Sequence, residues 1–188
     1  MRLISRQAFT LLELLVTVTV IGIVSSLLIR STYTFLQEQH LRQAANELLS
    51  YLLTARARAL REANLSGQGC EVQLNASTNT VEATTASANI CNDSPGLPAL
   101  DLLTASGGDA LTITASDGSS PYYITFTRLG TVASSNLSSS TTITLPRIFY
   151  LSNSPATQMQ RCVMVDLNSL RIGWRNSSDT ALCTYNAN

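Results

Sequence analysis

Hydrophobic positions fall into three regimes along the chain. Residues 8–29 are nearly all apolar (AFTLLELLVTVTVIGIVSSLLI). At 1.5 Å per residue, those 22 residues make a helix of roughly 33 Å, enough to cross a bilayer. Further on, apolar residues recur in steps of three and four at Leu41, Ala44, Ala45, Leu48, Leu52, Ala55 and Ala59, the period of an amphipathic helix. Gln39, Arg42, Gln43, Glu47, Arg58 and Glu62 fall mostly on other faces. No Gly or Pro interrupts the chain between Ile23 and Leu65. One continuous helix over residues 9–63 is predicted, with Asn64 and Gly67 as stop signals. Beyond Gly67, short β-prone runs alternate with clusters of Ser, Thr, Asn, Gly and Pro. They predict strands at 71–74, 111–114, 122–127, 141–145, 148–151, 162–166 and 170–174, and a weaker one at 81–83. Residues 84–98 and 134–140 read as loops. The fold class is α+β: a long N-terminal helix, hydrophobic then amphipathic, packed on a C-terminal antiparallel β-sheet domain.

Composition adds a compartment. Charged residues are 13% of the chain, and all twelve basic residues are Arg. The formal net charge is zero, so nucleic-acid binding would need a local Arg patch. Polar residues are mostly Ser, Thr and Asn, which give the weakly charged surface common outside the cytoplasm. The four cysteines, Cys70, Cys91, Cys162 and Cys183, form no C-x-x-C pair, which argues against zinc and thioredoxin-like chemistry. An oxidising compartment would pair them in one of three connectivities. Two local bridges, Cys70–Cys91 and Cys162–Cys183, are the simplest, each contributing about 3 kcal/mol; four buried free thiols are the alternative.

The apolar run carries more than an anchor needs. Arg2 and Arg6 precede it without an acid, which favours a cytoplasmic N-terminus. An ordinary secretory signal would place small-residue cleavage after the run, where only Ser25 and Ser26 qualify and apolar residues resume. Neither a signal nor a plain anchor explains Glu13. A carboxylate in mid-span costs about 2.5–3.5 kcal/mol and usually marks a function. No basic residue lies between Gln7 and Ile29 to pair with it.

The string Ala8-Phe9-Thr10-Leu11-Leu12-Glu13-Leu14 resembles the prepilin processing motif of type IV pilins and type II secretion pseudopilins. The resemblance implies that a membrane peptidase cuts between Ala8 and Phe9 and methylates the new amine. Glu13 is then the fifth mature residue, and the α-amine of Phe9 on a neighbouring subunit is its implied partner in assembly. Ala8 stands where Gly is usual, and Arg30 where the family often has Pro. The implied organisation is a leader at 1–8, a transmembrane and assembly helix at 9–29, an amphipathic continuation at 30–65 and a β-rich head at 66–188. The head carries a finer likeness. Residues 48–60 (LLSYLLTARARAL), Phe126-Thr127-Arg128-Leu129-Gly130, and the hairpin from Val163-Met164-Val165 to Leu170-Arg171-Ile172-Gly173 resemble GspH/FimT-type minor pilins and pseudopilins.

Little else points to chemistry. His40 is the one histidine, with no carboxylate or cysteine cluster beside it in sequence, and it reads as an exposed helical residue. There is no G-x-S-x-G, H-E-x-x-H or phosphate-binding glycine loop, and no base is placed to activate a Ser or Thr. No enzyme, metal or cofactor is expected. Arg56, Arg58 and Arg61 read as salt-bridging residues and compensation for the helix C-terminus. Arg171, Trp174 and Arg175 are a candidate DNA contact: guanidinium forks suit phosphates and an indole suits an unpaired base. GspH/FimT-like members that take up DNA use a Gly-Arg-x-Arg motif; here the order is Leu-Arg-Ile-Gly-Trp-Arg.

The reading is a minor pilin, with a type II secretion pseudopilin and a DNA-binding pilin of natural transformation as alternatives. Implied partners are other pilins or pseudopilins, the prepilin peptidase, the inner-membrane assembly platform and membrane lipid before assembly. The implied location is the bacterial inner membrane, single-pass with the head outside the cytoplasm, then the surface pilus.

Overall fold

The computed structural model of the chain describes residues 10–62, 69–86, 88–93, 95–107, 110–118, 120–135, 137, 142–153, 159–176 and 183–185. It divides into two compact units, Met1–Leu36 and Gln37–Asn188.

Helix α1 spans Leu11–Arg61, close to the predicted range. In the first unit its apolar side chains are exposed, from Leu11 at 84% to Val24 at 51%. In the second unit the predicted stripe is the buried face: Leu41, Ala44, Ala45, Leu48, Leu52, Ala55 and Ala59 are each at most 2% exposed. Four of those seven are Ala, so small side chains make up most of the buried stripe. Arg58 meets Glu62 at 2.9 Å and donates to the Asp93 carbonyl at 2.8 Å, so it ties the last turn to the head as well as compensating it.

The head holds two antiparallel sheets rather than one. The first contains β1 (Cys70–Asn75), β2 (Thr80–Ala83), β3 (Leu100–Asp101) and β5 (Tyr122–Phe126), in the order β3-β2-β1-β5. The second contains β4 (Leu111–Ala115), β6 (Arg147–Asn153), β7 (Met159–Val165), β8 (Leu170–Asn176) and β9 (Thr184–Tyr185), in the order β4-β6-β7-β8-β9. Along β4, Leu111, Ile113 and Ala115 are buried and the residues between them exposed, the period of a half-buried strand. Arg147 joins the sheets. Its Nη1 donates to the Tyr123 carbonyl of β5 at 2.8 Å, and it pairs with Asp117. Tyr122 meets Phe149 edge to face, with ring centroids 5.6 Å apart. The arrangement is α+β, consistent with a pilin fold.

Several elements differ from prediction. The strand expected at 141–145 is absent over its described residues. Thr142 makes a single bridge to Ser135, Ile143 N–H donates to the Ser134 carbonyl at 2.8 Å, and Pro146 then removes a donor. The expected loop at 84–98 holds a 3-10 turn, Ile90–Asn92, capped by Asn89. A short helix, α2 (Leu102–Ala105), and the two-residue strands β3 and β9 carry too few residues for periodicity to register. Both local cysteine pairs are bonded, Cys70–Cys91 and Cys162–Cys183. Beside the first bridge, the buried Glu71 carboxylate accepts from Thr84 Oγ1 and Thr125 Oγ1, both at 2.9 Å, and from Leu137 N–H at 2.5 Å.

Candidate functional site

Glu13 lies in the first turn of α1, not in its middle. Glu13 N–H donates to Thr10 Oγ1 at 3.3 Å, and Thr10 N–H donates to the Glu13 carboxylate at 3.4 Å. That is a capping box, and its T-x-x-E signature was legible as such in the sequence. The positive end of the helix macrodipole adds to it. Both bonds are long, and the carboxylate keeps further acceptor capacity. Ala8 and Phe9, the expected processing residues, lie outside the described residues. Among the described residues, no helix is long and apolar enough to cross a membrane. The described side chains of the apolar half stop at Ser26, whereas the apolar run continues to Ile29.

The structure splits the expected DNA contact. Pleating alternates faces along β8, so Trp174 shares a face with Leu170 and Ile172, which pack on the main core. Arg171 and Arg175 lie on the opposite face. That face carries a satellite cluster of Ile148, Cys162 and Cys183 with Tyr150, Met164 and Tyr185. The Arg175 guanidinium stacks 3.6 Å above the Tyr150 ring, and its Nε donates to Gln160 Oε1 at 2.6 Å. Gly173 lies beneath Tyr185: a Cβ there would come within 2.8 Å of the ring. Burial and then Tyr150 push the Tyr185 phenol pKa up, against the pull of Arg171. The aromatic neighbours of the two arginines are therefore tyrosines brought in by β6 and β9. No sequence signal near position 171 names them. Trp174, 40% exposed, lies opposite Arg161 in the β7–β8 register. Burial and the nearby Arg42 lower the Arg161 pKa, and Glu38 opposes them.

His40 is partly buried, not exposed. Its ring packs so close to Gly107 that a Cβ there would come within 2.7 Å of it. Among the described residues, no group of three or more His, Cys, Asp or Glu side chains could hold a metal ion.

No curated protein and no solved structure matches the chain. One family model does match, over the segment that contains Ala8, Phe9 and Glu13. The chain thus carries, at residues 4–29, the prokaryotic N-terminal methylation motif, which supports a type IV pilin or pseudopilin.

Proposed function

We propose that the chain is a non-enzymatic minor subunit of a type IV pilus, of the GspH/FimT type. Prepilin peptidase cuts it before Phe9. It waits in the inner membrane, head outside the cytoplasm, and enters the filament through its N-terminal helix at or near the tip. Glu13 carries this reading. It is a carboxylate in an apolar run, residues 8–29, that holds no basic residue, and it accepts a long 3.4 Å bond from Thr10 N–H. In lipid such a charge is costly, and the α-amine of a processed neighbour would relieve it while fixing axial register.

Glu13→Gln tests this, because Gln also serves in a capping box while the charge is lost. The expected variant is processed and membrane-inserted but enters filaments poorly, in immunoblots of sheared pili. Thr10→Ala removes the box and spares the charge, and is expected to enter nearly normally. Normal entry of Glu13→Gln would overturn the pairing. A deletion strain that keeps its pili and loses type II secretion would make the chain a pseudopilin.

A second reading, DNA contact through the head, has Arg171 and Arg175 in its favour, grouped on one face with Tyr150 and Tyr185. A gel shift with the full chain in detergent at low salt, against Arg171→Gln and Arg175→Gln, tests it. Phosphate contacts are strongest at low salt, so the absence of a shift there would remove this reading.

A further inference from the structure

We propose that Arg42, Arg161 and Trp174 form a site for the phosphate of a bilayer phospholipid, which docks the head at the membrane surface before assembly. The inference rests on the reading that the chain waits in the membrane, and it adds a contact borne by the head to the one made by the N-terminal helix.

The sheet and the helix bring the three side chains together. Arg161 of β7 and Trp174 of β8 are register partners, so they share one face of the sheet. It is the face that carries Val163 and Ile172 into the main core. On the other side of β7, the partner of Arg161 is Leu151 of β6. Two residues along β6, Asn153 Nδ2 donates to the Gln37 carbonyl of α1 at 3.3 Å. That bond seats this end of the sheet beside the turn of α1 that holds Glu38 and Arg42. Toward this end the buried core gives way to a polar mouth. Val163 is fully buried, Arg161 is partly buried, and Trp174 is exposed.

The charges at the mouth are not balanced. Burial and then Arg42 lower the pKa of Arg161, and Glu38 opposes them, so all three charges feel one another. Two guanidiniums and one carboxylate leave one net positive charge. Among the described residues, neither guanidinium has a hydrogen bond or an ion pair. A partly desolvated cation beside a second cation is a place that an anion stabilises.

Charge and shape select the anion. A phosphodiester carries one negative charge and several acceptor oxygens, so it matches the net charge and serves both guanidinium forks. Inorganic phosphate or an acidic side chain would supply charge but leave the indole in water. A phospholipid also brings its glycerol and acyl edge, the boundary layer that suits an indole. The tether to that layer is short. Tyr33 and Phe35, each 59% exposed, follow the apolar run as interfacial aromatics. Arg42 is seven residues past Phe35, about 10 Å of helix, a gap that a long Arg side chain shortens by snorkelling.

Trp174 is the one tryptophan, so its fluorescence reports the site directly. The full chain is reconstituted in nanodiscs of phosphatidylcholine and phosphatidylglycerol whose acyl chains are brominated near the headgroup. Trp174 emission is expected to be quenched. Arg42→Gln and Arg161→Gln are each expected to lower the ratio of docked to undocked head about fivefold, and Arg161→Lys to lower it less. Val18→Trp in a Trp174→Phe background, with bromines deep in the acyl chains, reports insertion of the helix separately. Quenching in that control without quenching of Trp174 would overturn the inference and leave the membrane reading standing; quenching of neither would remove both. Quenching of Trp174 that survives both Arg→Gln changes undiminished would also overturn it. In detergent, a saturable Trp174 response to inorganic phosphate that dihexanoyl-phosphatidylglycerol does not exceed would make this a free-anion site and overturn the lipid assignment.

Discussion

Removing the Asn89 side chain should cost the head more than almost any other single truncation of a polar group. Asn89 is 3% exposed and joins three segments. Its Oδ1 accepts from Glu71 N–H at 2.8 Å and Cys91 N–H at 3.1 Å. Its Nδ2 donates to the Glu71 carbonyl at 2.7 Å, the Thr84 carbonyl at 2.8 Å and Thr84 Oγ1 at 3.0 Å. Asn89→Ala orphans two buried N–H groups and weakens the satisfaction of two carbonyls. Each orphan costs about 1–3 kcal/mol, and one water admitted to the vacated space would recover part, leaving a net loss of about 3 kcal/mol. For a domain of this size that is a fall in Tm of roughly 6–12 °C. Asn89→Asp should fall at least as far, because a second buried carboxylate would join Glu71 around Thr84. The assay is thermal unfolding of the oxidised full chain in detergent, followed by near-ultraviolet circular dichroism. Hydrogen exchange at Leu97, whose N–H donates to the Cys91 carbonyl, reports the turn locally. A fall in Tm of less than about 3 °C would refute the claim that this carboxamide organises the turn.

Three further outcomes are expected. Gly173→Ala places a Cβ 2.6 Å from the Thr184 carbonyl, so β9 must lift; faster hydrogen exchange at Thr184 and Tyr185 checks it. Replacing Cys162 and Cys183 together with Ser opens a loop with a sequence separation of 21 residues. The loss should be about 3 kcal/mol, read as a lower melting temperature under oxidising conditions that leave the Cys70–Cys91 bridge intact. Tyr51 adds an alkaline limb to stability: burial, and next Glu82, push its folded pKa up to about 12, above the ordinary tyrosine value of about 10. Its contribution is full below the unfolded pKa and is lost as pH rises toward the folded one, because the unfolded chain gives up the proton first. Tyr51→Phe should therefore flatten the decline in stability between those two values, measured by denaturant melts across that range.

What the sequence determined by itself was local. The stripe from Leu41 to Ala59 was legible because burying one helix face imposes a period within a few residues. The alternation along β4 was legible for the same reason, and so was the N-terminal methylation motif, whose apolar run, Glu13 and Ala8–Phe9 junction are contiguous. The equal spacing of the cysteines narrowed three pairings to a simplest one. Only the tertiary structure closed it, since sulfur proximity depends on how β1 meets the 3-10 turn and how β9 meets β8. The same holds for the head's division into two sheets, which Arg147 of β6 links by reaching β5. Pleating alone separates Trp174 from Arg171 and Arg175. That the arginines then meet Tyr150 and Tyr185 required β6 and β9 to arrive beside them. Glu71 and Tyr51 look like an ordinary strand residue and an ordinary helix residue in sequence. One gains a backbone donor 66 positions away, at Leu137, and the other is sealed in without a partner. Periodicity reports which way a side chain points. What it meets there is decided by contacts between segments distant in sequence, which no local pattern encodes.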